Sequence, residues 1–143
     1  MVSGIRWTRV LAAAVLSEVG VVVILLVAIT VYSRVIAPGM SDAEYQTLGE
    51  RAGYYVAPTA GFVTTILAVL WAGRPLASSF VANGLAIGLV SVVITSPFFF
   101  MARPEDKLMY GVAFLLRLAA GYIGGALAQR RFARTAHTSD VSS

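Results

Sequence analysis

The chain of 143 residues has 58% hydrophobic and only 13% charged side chains and a net charge of +4, with a mean hydropathy of +0.80, far outside the range of soluble domains. At ~20 apolar residues per crossing, this length holds at most four or five membrane spans and leaves no room for a separate catalytic domain. Without cysteine and with a single histidine, His137, in a polar tail, the chain lacks disulfides, thiolate chemistry and a histidine-based metal site.

The first apolar run follows Arg6, Trp7 and Arg9, extends from Val10 to Val31 and closes at Arg34 and Pro38-Gly39. It exceeds the ~7–15 residues of a signal-peptide core, so it reads as an uncleaved span. After it, Ser41-Asp42-Ala43-Glu44 forms a capping box and should start a helix. That helix is either a short surface segment carrying Tyr45 and Leu48 or an extension of the next span.

The second run covers 52–72 and ends at Gly73-Arg74-Pro75. A tight hairpin is expected to lead into the third, 76–101, which Arg103-Pro104 ends. The fourth, 108–128, lies between Lys107 and Gln129-Arg130-Arg131. None alternates as a strand would, and hydrocarbon satisfies no backbone group, so the fold class is all-α, a polytopic bundle of four transmembrane helices. Residues 1–132 form one membrane domain, and 133–143, small and polar, read as a disordered tail.

Four spans place both termini and the central turn on one side. Arg6, Arg9, Arg74, Arg130, Arg131 and Arg134 are there, against Arg34, Arg51, Arg103 and Lys107 opposite. This six-to-four bias predicts cytoplasmic termini in a bacterial inner membrane. The aromatic residues agree, with Trp7 and Trp71 at one interface and Tyr32, Tyr54, Tyr55, Phe98 to Phe100 and Tyr110 at the other.

Two full charges lie inside the runs: Glu18 in the first span and Arg117 in the fourth. Each costs at least ~2.5–3.5 kcal/mol near a helix centre unless paired. Counting ~1.5 Å per residue from the terminal-side ends of the runs places Glu18 at roughly 12 Å, Arg117 at roughly 16 Å, and Asn83, Thr64 and Thr65 at roughly 10–12 Å. The five are expected to form one buried polar layer, either an interhelical clasp or the lining of a polar cavity.

Small residues at four-residue spacing mark packing faces: Gly49, Gly53, Ala57 and Gly61 in the second span, Gly84 and Gly88 in the third, Gly121 and Gly125 in the fourth. They serve packing within the bundle or association with a partner or second copy. Pro58 should kink the second span. No nucleophile motif, phosphate loop, metal-ligand cluster or cofactor motif occurs, so the chain reads as a non-enzyme without cofactor. Its terminal arginines anchor it to the lipid bilayer and do not imply nucleic acid.

The segment Val15-Leu16-Ser17-Glu18-Val19-Gly20 resembles the first helix of small multidrug resistance transporters. These also have four spans and an embedded glutamate that exchanges protons for cationic drugs. The resemblance covers these six residues and implies a small proton-coupled transporter with Glu18 as its proton or cation site. The residues themselves favour a structural or partner-binding membrane subunit, because Arg117 would neutralise that carboxylate.

Overall fold

A computed structural model describes residues 4–74, 76 and 78–139, with the side chains of 133–139 excluded. Helix α1 spans Trp7–Val31 and continues through a π-helical segment, Tyr32–Ile36, in which Ala37 N donates to Tyr32 O at 2.9 Å. Helix α2 spans Asp42–Gly73, α3 Phe80–Met101 and α4 Lys107–Ser139, the last preceded by a short 3₁₀ turn at Pro104–Asp106. Four helices are long and apolar enough to cross a membrane. No strand occurs among the described residues.

The Ser41 motif starts α2 as expected. The Glu44 carboxylate accepts from the Ser41 backbone N–H at 2.7 Å and from its hydroxyl at 2.8 Å. Of the two readings of that motif the extension is observed, because α2 runs unbroken from Asp42 to Gly73 with Pro58 inside it. α4 continues past the apolar run to Ser139, favoured by Ala and Arg and by cations near a helix C-terminus. The backbone of 133–139, expected in the disordered tail, is therefore helical, and 140–143 lie outside the described residues.

Around the bundle the neighbours run α1, α2, α4, α3. α1 and α4 occupy one diagonal and α2 and α3 the other, and α1 against α3 is the thinnest side. This order explains why the link between α2 and α3 is not the tight hairpin expected from sequence. Helices on a diagonal cannot be joined by a minimal turn, and α2 ends at Gly73 while α3 starts at Phe80 rather than at Leu76. Ser79 enters α3 with φ +60°, a left-handed conformation costly for a side chain larger than glycine.

The backbones of α3 and α4 meet through glycine. A Cβ at Gly84 would collide with the Gly121 carbonyl oxygen, and one at Gly121 with that of Gly84. A Cβ at Gly125 would fall 2.7 Å from Val81 Cα. Gly53 differs from the packing role read for it, since nothing lies within 4 Å of where its Cβ would be. Its part of α2 extends beyond the close-packed region.

That region is confined to the end of the bundle carrying the termini. Among the described residues every buried position except Ser33 and Ala52 lies within Val10–Val21, Ala60–Gly73, Phe80–Ser91 or Arg117–Ala128. Each segment extends about 17–20 Å from that end at ~1.5 Å per residue. Its core is Val10, Ala13, Ala14, Ala68, Val69, Ala72, Ala86 and Ile87, mostly small side chains that let the helices approach closely.

The two glycine environments predict opposite outcomes. Gly121→Ala must part α3 from α4 and should destabilise by about 1–3 kcal/mol. Gly53→Ala adds a methyl in open space and should be neutral or stabilising by up to about 1 kcal/mol. Reversible denaturation of both variants in mixed micelles measures the difference.

Candidate functional site

The charged residues of α1 and α4 meet across the diagonal. The Arg117 guanidinium donates through Nη1 to Oε1 of Glu18 and through Nη2 to Oε2, the second bond at 2.9 Å, a bidentate ion pair. The Arg117 side chain is 8% exposed and that of Glu18 18%. Because the backbones of α1 and α4 hardly approach one another, the long arginine side chain bridges the bundle where no short residue could.

Glycines of the other two helices make room for it. A Cβ at Gly61 of α2 would stand 3.1 Å from Nη2 and 3.2 Å from Cζ, so the guanidinium lies against that bare position. A Cβ at Gly88 of α3 would fall 2.7 Å from the Arg117 carbonyl oxygen, so that glycine admits the arginine's backbone. Packing thus holds the fork in one orientation, which a carboxylate can match with two parallel bonds. Ser91 of α3 completes the surroundings. It is fully buried, and its hydroxyl lies beside the Glu18 carboxylate without forming a well-aligned hydrogen bond among the described residues.

One residue before Glu18, Ser17 begins a second polar cluster. Its Oγ lies 3.1 Å from the hydroxyls of both Thr64 and Thr65, and the Thr64 hydroxyl donates to Ala60 O at 2.8 Å. All three hydroxyls are satisfied if Thr65 donates to Ser17, Ser17 to Thr64 and Thr64 to the carbonyl. Thr64 and Thr65 therefore line the α1–α2 seam beside the ion pair and do not bond to it.

Asn83 does not join the layer. Its Nδ2 donates to Gly4 O and Ser79 O, both at 2.9 Å, and its Oδ1 accepts from Arg6 N at 3.0 Å. It pins the segment before α1 to the first turn of α3. The cause is the later start of α3: counted from Phe80, Asn83 is about 5 Å deep instead of roughly 10 Å. Pro58 lies inside α2 as read from the sequence, and α3 holds a second internal proline, Pro97. Pro97 has no N–H for the Val93 carbonyl, and the Ser96 hydroxyl donates to that oxygen at 2.8 Å.

Chemically the centre is a neutralised ion pair on a glycine bed, with one spare hydroxyl. Among the described residues no three His, Cys, Asp or Glu side chains gather as a metal ion would require. No known family model matches the chain, and no characterised protein or solved structure is significantly similar to it.

Gly61 gives the direct test of how the guanidinium is held. Gly61→Val should push it off the carboxylate and destabilise the bundle by about 2–4 kcal/mol. In an Arg117→Met background the same substitution should cost clearly less, and equal costs in the two backgrounds would mean that Gly61 does not seat the arginine.

Proposed function

We propose that this protein is a structural or partner-binding subunit of a bacterial inner membrane, without catalytic chemistry or cofactor, whose helix order is locked by a Glu18–Arg117 clasp. Its termini lie in the cytoplasm and its long connection outside. The single observation that carries the reading is the bidentate pair across the diagonal, in which each charge neutralises the other. A buried pair contributes little net stability but strongly disfavours any helix arrangement that separates its members. Its partners are the lipid bilayer and a membrane protein or second copy. The glycine faces of α3 and α4 are consumed inside the chain, whereas Gly49 and Gly53 of α2 stand open. The terminal arginines serve as the cytoplasmic anchor and bind no nucleic acid.

One observation favours the second reading, a small proton-coupled carrier using Glu18. The carboxylate is the more exposed partner and has the buried Ser91 hydroxyl beside it. The two readings part in a double-mutant cycle combined with transport measurements. For the clasp, Glu18→Gln should destabilise by ~3–5 kcal/mol, and the further change Arg117→Gln should recover much of it. Reconstituted protein should release no protons on addition of lipophilic cations. Cation-triggered release that disappears in Glu18→Gln would establish the carrier instead.

The topology is open to a separate test. Cysteines placed at Ser41 and Ser139 should react with an impermeant reagent from opposite sides of the membrane, Ser41 from outside. Labelling of both from outside would overturn the orientation.

A further inference from the structure

Where α1 gives way to α2, the π-helical end of α1 and the first turns of α2 border a solvent-open cavity of about 400 Å³ whose walls include Tyr32, Met40, Glu44, Thr47, Leu48 and Arg51. Glu44, Thr47, Leu48 and Arg51 fall at the i, i+3, i+4, i+7 spacing that places them on one helix face. Two opposite charges therefore look into one space, roughly 10 Å apart along the axis. They do not meet: among the described residues the Arg51 guanidinium forms no ion pair or hydrogen bond. One oxygen of Glu44 is held by Ser41, while the other has no partner there. Met40, Leu48 and the Tyr32 ring give the cavity an apolar side.

Depth decides what reaches it. The apolar run of α2 begins at Ala52 and spans the ~30 Å hydrocarbon core, so Arg51 stands at its boundary. The headgroup layer adds ~5–8 Å on each side, which puts Arg51 at its base and Glu44, about 10 Å further along α2, just past its water-facing edge. We infer that this cavity binds the headgroup of an aminophospholipid, the phosphate on Arg51 and the primary ammonium on Glu44. Guanidinium matches phosphate oxygens through paired donors, and a carboxylate accepts from an ammonium. A headgroup carrying glycerol presents no cation to Glu44, and a trimethylammonium has no N–H to donate.

The site is independent of the clasp and of which side of the membrane it faces. Full-length protein reconstituted in vesicles of equimolar phosphatidylethanolamine and phosphatidylglycerol, then extracted in mild detergent, is analysed for retained lipid by native mass spectrometry. The wild type should retain phosphatidylethanolamine over phosphatidylglycerol by about tenfold. Arg51→Gln should lose most of the retained lipid. Glu44→Gln should lose the preference while keeping the helix start, because glutamine serves a capping box as glutamate does. Equal retention of the two lipids by the wild type, or unchanged retention in properly folded variants, would overturn the assignment. Soluble glycerophosphoethanolamine separates a lipid from a free zwitterion: failure to displace the retained lipid at millimolar concentration supports the lipid, and displacement overturns it.

Discussion

A carboxylate on α1 and a guanidinium on α4 share a depth in the membrane, and in a medium that solvates neither of them their pairing constrains every helix around it. The pair joins opposite corners of the bundle, so its connection passes through the centre. Whatever lies on the other diagonal must leave that centre empty. Gly61 on α2 and Gly88 on α3 do this in different ways, the first beside the guanidinium itself and the second beside the backbone that carries it. The glycine faces are thus part of the same solution as the charges. Removing side chains from α2 and α3 lets a long side chain of α4 reach α1.

Much of this was legible in the sequence, because depth in a membrane helix is simple arithmetic once a span end is known. Glu18 and Arg117 were correctly brought together by counting residues from Val10 and Ala128. The same arithmetic failed for α3, whose start depends on which helices are neighbours, a property of the tertiary arrangement. With the start placed at Leu76, Asn83 fell into the polar layer and Ser91 fell well beyond it. Moving the start to Phe80 returns Asn83 to the bundle end and brings Ser91 to about 16 Å, level with Arg117. One error thus hid the hydroxyl that belongs to the site and promoted an amide that does not.

Ser17 was missed for a different reason. It stands seven residues from Val10, as Thr65 does from Ala72, so its depth matched that of the threonines. A serine carries no charge that demands a partner inside a span, so its type alone does not mark it as part of a cluster. The glycine spacings carried a similar ambiguity. Gly53 and Gly61 look alike in sequence, and only the extent of the close-packed half separates one that meets a guanidinium from one that meets nothing.

The division into a packed half and an open half gives the ion pair a further consequence. Buried residues fill the terminal end up to the level of Ser91 and Arg117, and the irregularities within the helices lie beyond that level: the π-helical segment of α1, Pro58 of α2 and Pro97 of α3. Each interrupts regular helical hydrogen bonding where few side chains are packed to compensate. Local stability follows packing density, so the open half belongs to the low-stability end of the molecule and the terminal half to the high end. Glu18 and Arg117 stand at the seam. Their ion pair thus joins α1 to α4 at the level where close packing ends.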